Sequence, residues 1–461
     1  MTTHSIDDPF TGEIACTVEE TSPEALDRVL KAARDATHAW RRVSVDERIA
    51  LCDRALTNFE ARAEEVASDI SRQMGKPLSQ SRGEIKGMAE RWRHLQEIAK
   101  TALADTMLDP KDGFERRVAK VPLGVVLDLP AWNYPLLTAV NAVVPAVLAA
   151  NSVIVKHAPR TPLCAWHFAK AFADAGAPSG LVQAIWLDYP GTERLVADRR
   201  IDHVLFTGSV HGGHRIQAAA RDRFLHVGLE LGGNDPAYVA ADCDLANTVE
   251  NIVDGAIYNA GQSCCAVERV YVHHSMYEKF ISAVEPLVRG YVMGDPRDEK
   301  TSLGPIAQPW HLAELDGFVK DATDRGARAV VGGKATKVGG KGRFFEATLL
   351  RDVPQSAEVM QRESFGPIVA VSSVESDEEA LERMNDSQLG LTASVWTSDR
   401  ERAERMAREL EYGTVYMNRC DALDPSLPWT GVKDSGRGAT LGTLGFDSLT
   451  RPKSIHFRLK F

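Results

Sequence analysis

The chain has 461 residues, 44% of them hydrophobic and 26% charged, and a formal net charge of −10. That length is enough for more than one core and predicts roughly two or three domains, while the acidic balance argues against the concentrated basic face of a nucleic-acid binder. The first twenty residues lack a basic region followed by an apolar run, and no later stretch stays apolar for the ~18 residues of a membrane span, so a cytoplasmic protein without nucleic-acid or membrane partners is expected.

Ser22-Pro23-Glu24 reads as a helix start, with a capping hydroxyl and proline in the first turn, and Leu26, Val29, Leu30 and Ala33 share one face of a helix running to Arg41. A longer helical pattern covers Val45 to Met74 and stops at Gly75-Lys76-Pro77; a third runs from Arg82 to Ala102. "ERRVAKVPLGVV", with alternation and β-branching around Val118 and Val121, reads as strand. From Gly124 the strands "VVLDL", "SVIVK", "VQAIWL", "HVLFT" and "LHVGLEL" alternate with helices over Thr138 to Ala149, from Thr161-Pro162 to Gly176, and from the 208–213 turn to Arg223. Such alternation implies βαβ crossovers and a parallel sheet covered on both faces, with a ligand at the carboxyl ends of the strands. From Asn234 to Asn418 helices at 245–259, 275–289, 309–325, 377–384 and 400–411 alternate with strands at 267–273, 328–331, 367–373 and 393–396, which predicts a second α/β unit. The end, "TRPKSIHFRLKF", alternates like a strand and carries apolar residues that would lie on an open edge, so it is expected to pair with something else.

Two stretches carry chemistry. In "FTGSVHGGHRI" the glycines Gly208, Gly212 and Gly213 lie between a strand and a helix, a place where backbone can approach a phosphate; the spacing is not G-x-G-x-x-G, and a plain tight turn fits equally well. "YNAGQSCCAVERVYV" sets Cys264 beside Cys265 in a chain with seven cysteines, an odd and scattered set that predicts reduced thiols. Adjacent cysteines cannot easily aim both sulfurs at one ion, so no metal is expected, and a disulfide between neighbours closes a strained ring. An inert core thiol and a nucleophile remain.

"AWNYPLL" with Asn133, "VIVKHAPRTPL" with Lys156, "FTGS" with Ser209, "LELGG" with Glu230, "GQSCC" with Cys264, "ESFGP" with Glu363 and "GVKDSGRG" occur in the order of the aldehyde dehydrogenase superfamily, which the chain resembles over nearly its whole length. The resemblance implies two doubly wound, Rossmann-like α/β domains and a β oligomerisation element: residues 1–103 and 123–233 binding the dinucleotide, 234–446 carrying catalysis, and 104–122 with 447–461 joining subunits into a homodimer or homotetramer. It implies oxidation of a small aldehyde with NAD, NADP being possible. Cys264 would be the nucleophile, Asn133 a donor to the oxyanion, and Glu230 the base that activates water. Members that pass the acyl group to coenzyme A typically lack that glutamate, so a free acid is expected; an acylating enzyme and a non-enzymatic relative are the alternatives.

For the cofactor the resemblance implies Trp132, Lys156, Pro159, Gly208, Ser209, Gly213, Glu230, Leu231, Gly232, Glu363 and Phe365. Pro159 stands where the family usually has a ribose-binding glutamate; with Lys156 and Arg160 nearby, NADP should be better tolerated. Ala131 stands where proline usually precedes Trp132-Asn133, which would loosen that turn. The substrate tunnel is expected to comprise Tyr134, Leu137, Asn141, Tyr258, Ser263, Cys265, Arg419, Asp421, Leu423 and Trp429, whose aromatic walls favour aromatic or medium aliphatic aldehydes. Members acting on succinic semialdehyde commonly carry arginine where this chain has Asn141, so that substrate is not the expected one, although Arg419 could supply the charge instead.

Overall fold

The computed structural model describes residues 3–460. Strand Val125–Leu129 is buried at every position, as a strand covered on both faces must be. Ser152–Val155 and His203–Thr207 lie parallel on its two sides, with Val182–Ala184 beyond the first and His226–Glu230 beyond the second. The chain thus winds one way from Val125–Leu129 and then the other, and the reversal opens a crevice at the carboxyl ends of Val125–Leu129 and His203–Thr207. Gly436–Arg437 closes this six-stranded sheet, antiparallel to His226–Glu230.

The second sheet has seven strands. Asp235–Val239 and Val267–His273 form its middle, Ile368–Val374 and Thr348–Arg351 continue it on one side, and Thr392–Trp396 and Thr414–Met417 on the other, all parallel. Arg328–Val331 adds an antiparallel edge. Sequence patterning missed Asp235–Val239 because Pro236 and the preceding glycines read as a turn. A register shift between Asp235 and Pro236 accommodates the proline.

Helix boundaries differ from expectation in three places. The pattern from Val45 to Met74 is two helices, Val45–Glu60 and Ala63–Met74, because Arg62 leaves helical backbone (φ −112°, ψ 21°) and its guanidinium donates to the His167 carbonyl at 3.2 Å. Helix Leu78–Ala102 starts directly after Pro77. The expected strand "VQAIWL" is ordered as strand only over Val182–Ala184; it is followed by an unanticipated helix, Tyr189–Ala197, whose capping Asp188 accepts from the Gly191 N–H at 2.6 Å. Among the described residues no helix is long and apolar enough to cross a membrane.

Among the described residues the C-terminal strand Thr450–Arg458 finds one partner, pairing antiparallel with Phe114–Pro122 along its whole length, while Thr106–Met107 flanks the far side of Phe114–Pro122. Thr450–Arg458 is an edge of this three-stranded sheet, and Phe457, Leu459 and Met107 are exposed. Met1, Thr2 and Phe461 lie outside the described residues.

Helix Pro135–Leu148, which follows the crevice, is anchored by a buried ion pair. Lys76 and Glu84 are in contact with side-chain exposures of 0% and 1%. Glu84 also accepts from the Leu136 and Leu137 N–H groups at 2.8 and 3.4 Å, placing a carboxylate on the positive end of that helix. Lys76 lies 3.9 Å from the centre of the Tyr134 ring. Glu84→Gln would leave the buried ammonium without its counter-charge. It should destabilise the protein by about 3–5 kcal/mol, and Lys76→Met in the same chain should restore part of that. Urea midpoints of the two single variants and the double variant read the effect, and additive losses would show that the pair is not coupled.

Candidate active site

The loop that presents Cys264 runs in left-handed backbone over Asn259, Ala260 and Gly261, with φ of 55°, 56° and 68°. Two consecutive non-glycine residues there cost on the order of 1–3 kcal/mol each, and a ring of side-chain amides offsets it. Asn259 Nδ2 donates to the carbonyls of Asn133 and Gln262 at 3.0 and 3.1 Å, and Asn133 Nδ2 donates to the Gln262 carbonyl at 3.1 Å. Gln262 Nε2 returns a bond to the Asn259 carbonyl at 3.0 Å, and Gln262 Oε1 accepts from the Ala307 N–H at 2.9 Å. Asn133 is therefore buried and tied to Gln262, the residue two before Cys264, with one of its two amide hydrogens committed to the loop. The turn before it is also secured despite Ala131, since Thr138 Oγ1 donates to the carbonyls of Ala131 and Tyr134 at 3.3 and 3.0 Å.

Distant motifs meet at this loop. A Cβ on Gly233 would collide with the Cys264 carbonyl oxygen, and a Cβ on Gly261 with the Gly366 carbonyl, so "LELGG", "GQSCC" and "ESFGP" are in backbone contact. Glu230 ends strand His226–Glu230. Its carboxylate accepts from Thr207 Oγ1 at 3.2 Å and from Thr440 Oγ1. Burial raises its pKa above the ordinary carboxylate range, against the opposing pull of both hydroxyls and of Arg91. Thr440, Thr207 and Arg91 lie far from Glu230 in sequence, and nothing in the chain announced them.

The two thiols have different surroundings. Cys264 is partly exposed and Cys265 buried. The Cys265 thiol donates to Asp421 Oδ1 at 2.9 Å and lies 3.5 Å from Ser263 Oγ. A hydrogen bond with Cys264, together with burial, holds it far above the usual thiol range. Burial pushes Asp421, itself in left-handed backbone (φ 44°), up to about 7. Cys264 and Leu423 pack against Cys265, Trp429, Leu391 and Leu441. Leu137 and the buried Asn141 lie on helix Pro135–Leu148, and Tyr134 caps its start. Tyr258 opens the left-handed loop, and its phenol is 3.5 Å from where a Cβ on Gly83 would lie. Of the residues expected to line the tunnel, Arg419 alone is exposed. A buried guanidinium enters instead from another element: Arg91, on helix Leu78–Ala102, donates to Asn141 Oδ1 at 3.3 Å.

The expected cofactor residues gather at the sheet's carboxyl end. Ser209 caps helix Val210–Ala220 by accepting from the Gly212 N–H at 3.1 Å, and the Gly208 N–H donates to the Glu230 carbonyl at 3.0 Å. Gly213 packs beneath Leu231, whose N–H donates to the Ser435 carbonyl at 2.9 Å. The Lys156 ammonium, at the end of Ser152–Val155, has no hydrogen-bond acceptor among the described residues and lies 5.8 Å from the Tyr189 ring centre; burial lowers it to about 8. It is free to donate to a bound hydroxyl. Trp132 meets Phe365 edge-on at 5.5 Å. Glu363 Oε1 accepts from the Gly233 N–H at 3.1 Å with its carboxylate against Gly232. An unanticipated buried carboxylate, Glu268, holds that loop by accepting from the Ser364 and Phe365 N–H groups at 2.9 and 2.7 Å. The Pro159 carbonyl lies 3.3 Å from His4 Nε2. Arg160, expected beside the ribose, is bound instead to the Asp7 carboxylate and carbonyl, each at 2.5 Å, so it offers no free charge there.

The model of the Aldehyde dehydrogenase family matches residues 2–455. An aldehyde dehydrogenase of Paenarthrobacter nicotinovorans is 35% identical over 97% of this chain and 98% of its own. A succinate semialdehyde dehydrogenase [NAD(P)+] of Escherichia coli (strain K12) is 34% identical over 98% of each. The crystal structure of an NAD-dependent aldehyde dehydrogenase from Sinorhizobium meliloti superposes with a TM-score of 0.96 at 30% identity, covering 99% of this chain and 92% of that one. The chain belongs to the aldehyde dehydrogenase family of NAD(P)-dependent oxidoreductases.

Proposed function

We propose that the protein oxidises an aldehyde to the free carboxylic acid through a covalent intermediate on Cys264. The observation that carries this reading is the backbone contact between Gly233 and the Cys264 carbonyl, which sets the segment after the half-buried Glu230 against the loop of the partly exposed thiol. The Cys264 thiolate adds to the carbonyl carbon, forming a C–S bond and moving the π pair onto oxygen. The remaining Asn133 amide hydrogen and the Cys264 backbone N–H donate to that oxyanion, a side-chain donor of this kind contributing roughly 2.7–4 kcal/mol. NAD(P)+ supplies the hydride acceptor, and a thioester is left on Cys264. Glu230, with its basicity raised by burial, takes a proton from water. The hydroxide so formed attacks the thioester, and the Cys264 thiolate leaves as the acid is released. Cys265, held protonated and donating to Asp421, is the neighbour rather than the nucleophile.

Residues 1–103 and 123–233 serve the dinucleotide in this reading, and 234–446 the chemistry. Lys156 takes the adenosine ribose, which suits its unsatisfied ammonium; Gly208, Ser209 and Gly213 take the pyrophosphate; Leu231, Gly232, Glu363, Phe365 and Trp132 border the nicotinamide riboside. Tyr134, Leu137, Tyr258, Leu423 and Trp429 give the tunnel aromatic and aliphatic walls suited to an aromatic or medium aliphatic chain. The open edge of Thr450–Arg458 joins subunits into a dimer or tetramer.

Cys264→Ala should abolish oxidation while leaving cofactor binding intact, and Cys265→Ala should keep most of the activity. Glu230→Gln should release a burst of about one equivalent of reduced cofactor per active subunit and then turn over slowly, without any requirement for coenzyme A in the parent. Strict dependence on coenzyme A, or normal turnover in the Cys264 variant, would overturn the mechanism. Removing residues 454–461 should yield monomers or aggregates by light scattering; an unchanged particle size would remove the tail from the assembly. Pro159→Glu should add an acceptor for the ribose hydroxyls and repel a 2′-phosphate, raising the NAD:NADP ratio of kcat/KM by about tenfold or more. An unchanged ratio would place position 159 away from the ribose.

A further inference from the structure

Arg91 is a buried cation without a carboxylate partner. It is 9% exposed and lies on helix Leu78–Ala102. Nη1 donates to two neutral acceptors, the Leu137 carbonyl at 3.2 Å and Asn141 Oδ1 at 3.3 Å. Nε and Nη2 donate to no acceptor among the described residues, and they are not among the polar atoms sealed from solvent. The groups whose charges act on the guanidinium are Cys265, Glu230, Glu84 and Cys264. Asp421 in turn feels the charge of Arg91. None of these carboxylates approaches within ion-pair distance; Glu84 is occupied by Lys76 and by the start of helix Pro135–Leu148, and Glu230 by two threonine hydroxyls.

An arginine stays charged at any physiological pH, and holding that charge out of water without an anion is costly. The Nε–Nη2 edge of a guanidinium is a planar pair of parallel donors that matches a carboxylate bidentately. With Nη1 fixing the group to helix Pro135–Leu148, this edge is pre-oriented and still open. Nη1 ties the group to Leu137 and Asn141 on the helix that follows Asn133 and Tyr134, and the charges of the two cysteines, Glu230 and Asp421 are within its electrostatic reach, so an anion bound there belongs to the molecule whose carbonyl faces Cys264.

We propose that Arg91 selects the substrate, its free edge binding a carboxylate carried by the aldehyde at the far end of a short chain from the carbonyl. The assignment rests on the Cys264 reading of the site and deepens it. The apolar walls hold the chain between the two polar ends, and the charge comes from the helix before the first sheet rather than from Arg419.

The test compares 5-oxopentanoate with its neutral isostere 5-oxopentanamide, and measures binding of pentanedioate, a non-reactive dicarboxylate, by calorimetry. Wild type should prefer the carboxylate in kcat/KM. Arg91→Met should reduce the carboxylate:amide ratio about 30- to 100-fold, chiefly through KM, and Arg91→Lys should fall between because an ammonium keeps the charge and lacks the fork. A merely structural arginine would instead lower kcat for both aldehydes alike. Pentanedioate should bind wild type and bind Arg91→Lys about tenfold more weakly, a readout independent of turnover. If wild type does not distinguish acid from amide, or pentanedioate binds both proteins equally, the assignment to Arg91 is overturned. Turnover of neither aldehyde together with selective pentanedioate binding would instead sink the oxidation mechanism and leave the anion site standing.

Discussion

The geometry of the site depends on three consecutive residues, Asn259, Ala260 and Gly261, held in left-handed backbone by the amides of Asn133, Asn259 and Gln262. This backbone path leads into the segment whose Cys264 carbonyl lies against Gly233. The same amides also decide where Asn133 lies, since its carbonyl accepts from Asn259 while its side chain donates to Gln262. The Cys264 loop and Asn133 are thus positioned by one network. Strain stored in such a network persists because Asn133, Asn259 and Gln262 are buried and bonded to one another through their amide N–H groups.

Around this network the protein gathers charged groups that water would separate. Glu84 and Lys76 fix the helix that begins at the crevice, Glu268 ties down the Ser364-Phe365 turn, and burial raises the pKa of Glu230 against the pull of two hydroxyls and Arg91. Each is matched by donors or by an opposite charge. Arg91 departs from that rule, having two neutral acceptors and an open edge. Like Lys156, whose ammonium lacks an acceptor among the described residues, it is a buried cation from which a ligand is readily recognised.

The cysteine pair shows how a low-dielectric environment separates two chemically identical side chains. Cys265 is enclosed and hydrogen-bonded to a carboxyl that burial brings to about 7, so its proton is retained. Cys264 is partly exposed on the side where the glutamate strand arrives.

Much of this was legible in the sequence. Strands such as Val125–Leu129, Ser152–Val155 and Val267–His273 are continuous β-branched or apolar runs, and the caps Ser22 and Ser209 carry their own signal, because burial on both faces and local capping are encoded by the nearest few residues. Motif order likewise marked Cys264, Glu230 and Asn133. What escaped depends on distant partners. Asp235–Val239 is a strand despite its proline because it is inserted between two others, and the helix expected through Arg62 breaks because its guanidinium binds His167 from another helix. Arg160 is drawn to Asp7, Thr440 reaches Glu230, and Arg91 enters the site from a helix whose sequence reads as an ordinary charged surface. Local sequence fixes which backbone a segment prefers and which chemistry it carries; which buried charge meets which partner is set only when elements far apart in the chain exclude water between them, and that is decided by the tertiary structure.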